Sequence, residues 1–222
     1  MELVMASLFA LIHVSIIMDR GWKSPIDAVY FARLALGASM VTFLIIATVM
    51  DYDWMIITDS VTIPGMLCGL MLGTFLPQSR PVPMAGVSHL DGFLTGFGGI
   101  VAGFAVVLII RYVGSLIAGR EAMGLGDATL LGVIGAHLGW KATIITFFMA
   151  PFFGLTLEFW KVIKRLRDLV TGRQSANNIK EMPFGPYLSM AAILTFLTWP
   201  FLWRFWAADL FEAFRVVFFG LE

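Results

Sequence analysis

Acidic residues border apolar runs in this chain in a way that invites hydrolytic chemistry. Asp51 directly follows the run Phe43–Met50, with Asp53 and Asp59 close behind it. Asp127 closes Gly124-Leu125-Gly126-Asp127 and is followed by the run Leu130–Ile134. Two carboxylates brought together resist double ionisation and share one proton. The ionised member can then take a proton from an attacking water, while the protonated member hydrogen-bonds the carbonyl under attack. Titration belongs to the pair rather than to either residue. Gly124 and Gly126 carry little bulk, so a peptide backbone could approach Asp127 closely. The same Gly-rich turn could instead open a helix that Asp127 caps. Spacing alone leaves cap and catalyst both open.

The elements that must position these acids are membrane helices. Of 222 residues, 59% are hydrophobic and 14% charged, and the mean hydropathy is +0.87. Several apolar runs approach or exceed the roughly 20 residues that cross a bilayer as a helix. The expectation is an all-α, polytopic membrane helix bundle of about six or seven transmembrane segments, forming a single integral membrane unit over 1–222. Apolar segments fall near Leu3–Met18, Val29–Met50, Ser60–Leu76, Gly92–Ala118, Asp127–Leu138, Thr143–Val162 and Pro183–Trp203. The Asp127–Leu138 segment is too short to span alone. Residues 204–222 mix apolar runs with Asp209, Glu212 and Arg215, as an interfacial amphipathic helix does. The first segment has no basic residues ahead of it and no small-residue cleavage site, so it reads as a membrane helix rather than a removed signal. Gly92, Gly96, Gly98, Gly99 and Gly103 suit close helix packing in lipid.

With 15 basic and 15 acidic residues the formal net charge is zero, which gives no reason to expect a nucleic-acid partner. The distribution is more telling. Lys161, Lys164, Arg165, Arg167, Arg173 and Lys180 crowd the stretch Lys161–Met182, read as a loop on the cytoplasmic side. Counting spans back places Arg120–Gly126 and Asp51–Asp59 on that side too. Arg20, Lys23 and Arg80 are exceptions on the opposite side. The lone Cys68 allows neither a disulfide nor a cysteine zinc site within the chain. His13, His89 and His137 lack metal-ligand spacing, so neither metal nor cofactor is expected. Glu158 reads as a helix-end partner of Lys161. Arg111 reads as snorkelling or paired within the bundle. Trp22, Trp140, Trp203 and Trp206 sit at segment ends, as interfacial anchors do.

Three blocks carry a family resemblance. Asp51-Tyr-Asp-Trp-Met-Ile-Ile-Thr-Asp-Ser-Val-Thr-Ile-Pro64, Met123-Gly-Leu-Gly-Asp-Ala-Thr-Leu-Leu-Gly-Val-Ile-Gly-Ala-His-Leu-Gly-Trp140 and Met182-Pro-Phe-Gly-Pro-Tyr187 occur in the order found in type IV prepilin leader peptidases, the GxGD-type membrane aspartic peptidases. The likeness runs from about Leu34 to Leu197. It implies Asp51 and Asp127 as the catalytic pair, with Gly124, Gly126, Asp53 and Asp59 in support. It also implies a bacterial cytoplasmic (inner) membrane enzyme whose active site faces the cytoplasm. That enzyme would cut the basic leader from type IV prepilins or type II secretion pseudopilins, after a Gly and before the hydrophobic helix. Arg120 and Glu121 resemble the basic-acidic step ahead of the family's Gly-x-Gly-Asp.

The chain departs from that pattern in places. Thr129 stands where the family often has Lys, and Thr58 where it often has Pro. Longer members carry a Cys-rich region with paired CxxC motifs, linked to zinc and to N-methylation of the product. Here the resemblance implies the peptidase without the methyltransferase, which a separate protein would supply. Two rival readings are a proton-coupled transporter, with acids near the bilayer midplane, and an inactive pilus-assembly scaffold.

Overall fold

The computed structural model describes residues 2–20, 27–81, 88–119, 123–170, 183–203, 205 and 208–219. Its helices are α1 (Glu2–Arg20), α2 (Ala28–Trp54), α3 (Asp59–Phe75), α4 (His89–Ala118), α5 (Leu125–Leu138), α6 (Trp140–Val170), α7 (Gly185–Leu202) and α8 (Ala208–Phe219). A short 3₁₀ turn, Pro77–Ser79, follows α3. Among the described residues there is no strand. Helices α2, α4, α6 and α7 each hold a stretch long and apolar enough to cross a membrane, and α1, α3 and α5 are shorter apolar helices. Large apolar side chains such as Phe31, Met71, Ile109 and Phe152 are exposed on the outside, as lipid-facing residues are. The chain is an integral membrane helix bundle.

Local chemistry sets the helix ends. Ser88 and Asp91 form a reciprocal capping box at the start of α4, and Gly119 ends it in the left-handed region at φ 65°. Asp27 caps α2 by accepting the Tyr30 N–H at 3.0 Å. The sequence reading of a loop from Lys161 is corrected: α6 continues to Val170. No Gly or Pro interrupts residues 155–171, so a helix leaving the bilayer can keep its hydrogen-bond ladder in water among basic side chains.

Helix α5 is the axis of the bundle. Every residue from Leu130 to Leu138 is buried. It packs against α3 and α4, and its approach to α4 is backbone on backbone. A Cβ on Gly99 would lie 2.1 Å from the Gly135 oxygen, and one on Gly135 would lie 2.1 Å from the Gly99 oxygen. One on Gly103 would lie 2.8 Å from the Leu131 oxygen. Farther along, Arg111 Nη1 donates to the Met123 carbonyl at 2.7 Å. The two helices therefore run antiparallel with Gly99 against Gly135, Gly103 against Leu131 and Arg111 against Met123. The packing role expected of the α4 glycines holds at Gly92, Gly96, Gly99 and Gly103, whereas a Cβ on Gly98 would meet only Trp140 at 4.0 Å. Changing Gly99 to Ala should force the helices apart and cost about 1–3 kcal/mol. A lowered thermal midpoint in detergent, with Gly98→Ala as the neutral control, checks this.

Arg80, a basic exception on the opposite side by sequence, is built into the bundle. It is 3% exposed and reaches the last turn of α5, as described below. At that same end Lys141 Nζ lies 4.6 Å from the centre of the Trp203 ring. Trp140 meets Phe211 of α8 edge-on at 5.3 Å, so α8 docks on the start of α6. Trp22 and Trp206 lie outside the described residues.

Candidate active site

Three helix ends meet at the opposite end of the bundle from Arg80: the last turn of α2 and the first turns of α5 and α7. Asp51 lies in that last turn of α2 and is 7% exposed. Its carboxylate Oδ2 accepts the N–H of Gly185 at 2.8 Å, across 134 positions of sequence. Gly185 is the first residue of α7, so Asp51 faces the positive end of a helix. A Cβ on Gly185 would stand 2.6 Å from Asp51 Oδ2. Glycine is therefore required here for close approach. Pro186 in the first turn lacks an N–H that the helix would leave unpaired anyway. The Pro-Phe-Gly-Pro block thus builds an anion cradle, and Gly185 is a site residue that sequence reasoning missed. The block itself was the available signal.

Asp127 sits in the first turn of α5, three residues past the cap residue Gly124. Its carboxylate accepts the Gly124 N–H, and the charge of Asp51 acts on it directly. Gly124, not Asp127, holds the cap position, but Asp127 satisfies an N-terminal donor of its own helix, and the charge of Asp51 also bears on it. Both carboxylates lie at the positive ends of helices, which offsets part of their mutual repulsion.

The two glycines before Asp127 act differently. Gly124 is exposed, and a Cβ there would make only an ordinary 3.5 Å contact with Asp127 Oδ2. Gly126 packs on Ile57, where a Cβ would lie 3.0 Å from the Ile57 Cβ. Its smallness seats α5 against the link between α2 and α3 rather than opening space for a peptide. That link starts at Met55, whose φ of 56° ends α2 and whose N–H bonds the Asp51 carbonyl.

Asp53 and Asp59 are exposed. Asp59 lies in the first turn of α3, where a negative charge complements the helix dipole. Thr58 caps that helix by position. Thr129 turns its hydroxyl back to the Gly126 carbonyl at 2.9 Å. Arg111, left between snorkelling and pairing, pairs with the carbonyl that enters the Gly124–Asp127 turn. Arg120 and Glu121 lie outside the described residues, as does the side chain of Glu158. Among the described residues no cluster of three His, Cys, Asp or Glu could hold a metal. A cleft of about 460 Å³ opens between α1 and α7, lined by Leu11, Met18, Leu197 and Phe201 among others. It lies toward the Arg80 end and does not belong to this site.

Comparison with known proteins bears on this geometry. Residues 38–158 match the type IV leader peptidase family, a stretch that includes Asp51 and Asp127. The chain is 30% identical over 129 residues to a prepilin leader peptidase/N-methyltransferase of Aeromonas hydrophila, covering 55% of this chain and 41% of that protein. It is 32% identical over 143 residues to one from Myxococcus xanthus, covering 63% and 35%. With one from Pseudomonas aeruginosa it shares 31% identity over 99 residues, covering 45% and 31%. The chain thus spans less than half the length of these relatives. No solved structure matches. With the family match extending over more than half of its residues, the chain belongs to the type IV leader peptidase family.

Proposed function

We propose that the protein is an aspartic endopeptidase of the bacterial cytoplasmic membrane that removes the basic leader from type IV prepilins or related pseudopilins. The observation that carries this reading is that Asp51 and Asp127, from helices far apart in sequence, lie at the same end of the bundle beside the N-terminus of α7, near enough for their charges to interact. The pair shares one proton. Its ionised member takes a proton from water as the water oxygen attacks the scissile carbonyl carbon. Its protonated member hydrogen-bonds the carbonyl oxygen and gives up its proton as the tetrahedral centre forms. Collapse expels the amine, which leaves with a proton, and the pair returns to its starting state. Backbone N–H groups at two helix ends keep the carboxylates oriented, so little reorganisation accompanies the reaction.

The basic end of α6, with Lys161, Lys164, Arg165 and Arg167, lies at the same end of the bundle. The excess of basic residues supports a cytoplasmic orientation of the site. Asp53 and Asp59 add negative charge at its rim, which suits a basic leader. Of the two activities in the relatives' name, it is the hydrolytic one that these residues support.

The test is cleavage of several prepilins in liposomes by wild type, Asp51→Ala and Asp127→Ala. Wild type should cut at one bond, and each variant should lose roughly 10²–10⁴-fold in rate. Either variant cleaving at the wild-type rate would sink the paired mechanism. A wild type that cuts none of them would favour the transporter or scaffold.

A further inference from the structure

We infer that Arg80 is a positioning residue that sets the height of Asp127 from the far end of α5, an inference that rests on the peptidase reading. Helix α5 has 14 residues, about 21 Å, against a hydrocarbon core of roughly 30 Å. Its last turn is buried throughout, so its free carbonyls need partners inside the protein. Arg80 supplies them. Nη2 donates to the Ala136 carbonyl at 2.8 Å, Nε to the His137 carbonyl at 3.2 Å, and Nη1 to the Gly92 carbonyl in the first turn of α4. The planar guanidinium is the side chain whose fixed fork can serve three carbonyls at once, and a cation there also complements the negative end of α5.

The seat is built for it. A Cβ on Gly73 of α3 would lie 2.1 Å from Arg80 Nη2, and one on Gly96 of α4 would lie 2.4 Å from it. His137 completes the lock. Its Nδ1 lies 2.9 Å from the Val133 carbonyl, and its Nε2 lies 3.2 Å from the Ser39 hydroxyl of α2. Its ring fills the space left by Gly69, where a Cβ would lie 2.4 Å from Nδ1. The far end of α5 is thus pinned to α2, α3, α4 and the turn after α3, and the helix is the rod that carries this fixation to Asp127. Slippage along the rod would separate Asp127 from Asp51, which is anchored independently on Gly185.

The experiment compares wild type, Arg80→Met and Arg80→Lys in liposomes on a cleavable prepilin, with rates taken per folded molecule. Arg80→Met should lower kcat by roughly tens- to a hundred-fold while KM stays within about twofold. Its pH–rate bell should narrow, because carboxylates moved apart titrate more nearly alike. Arg80→Lys, a point charge without the fork, should fall between the two. An unchanged kcat and bell in Arg80→Met would reduce Arg80 to a fold-stabilising cap and overturn the inference. If Arg80→Met does not fold, Arg80→Lys decides by the same readouts. Failure of both to fold would make Arg80 a folding determinant and overturn it too. If wild type itself cleaves nothing, the peptidase reading fails first, a distinct result, and the positioning role falls with it.

Discussion

Replacing both aspartates at once, as Asp51→Asn with Asp127→Asn, should slow prepilin cleavage no further than either single change. Each single variant is expected to lose roughly 10²–10⁴-fold. Residues that act as one unit are strongly non-additive, because removing either member already disables the shared-proton step. The reason for expecting a unit is that both carboxylates lie at the same end of the bundle, where the charge of Asp51 bears on Asp127. Single-turnover cleavage by the four proteins closes the cycle. If the losses multiply instead, the carboxylates work at separate steps. The wild-type pH profile should be a bell, with activity falling in acid when both members are protonated and in alkali when both are ionised. Each single Asn variant should lose that bell.

A second large effect is expected at Gly185. Its alanine variant places a methyl group 2.6 Å from Asp51 Oδ2, so either α7 retreats or the carboxylate turns away. In both cases the 2.8 Å bond to the Gly185 N–H is lost. A hydrogen bond to a charged group contributes about 1.5–3 kcal/mol, which corresponds to about 10–100-fold in kcat. Alanine favours the first turn of a helix over glycine, so α7 itself should not be weakened. A fold-stable Gly185→Ala that cleaves at the wild-type rate would show that the α7 cradle is not part of the machinery.

Much of this architecture could be read from hydropathy and breakers. The apolar segments match the helices to within a few residues, apart from α6, whose basic continuation to Val170 reads as loop because its charge breaks the apolar run. Asp51 and Asp127 stand out because ionisable groups beside apolar runs are costly, yet spacing could not bring them together; only the ordered blocks did. The bond from Gly185 to Asp51 joins positions 134 apart, and such a contact leaves no periodic trace. Arg80 is hidden for the same reason. In sequence it is one basic residue in a Pro-rich connection, and only the absent Cβ atoms of Gly73 and Gly96 disclose its seat. Gly126 was legible as a requirement for smallness, but its neighbour proved to be Ile57.

The register between α4 and α5 also fixes a depth. Continuing the pairing of Gly99 with Gly135 and Gly103 with Leu131 brings Val107 level with Asp127. Helix α4 then climbs ten residues farther to Ile117, about 15 Å. Along that climb Tyr112, Leu116 and Ile117 are 68%, 69% and 83% exposed, a greasy parapet that belongs among acyl chains rather than in water. On the α4 side, therefore, an apolar wall stands above the level of Asp127. Whatever approaches Asp127 from beyond the end of α4 has that wall along one flank.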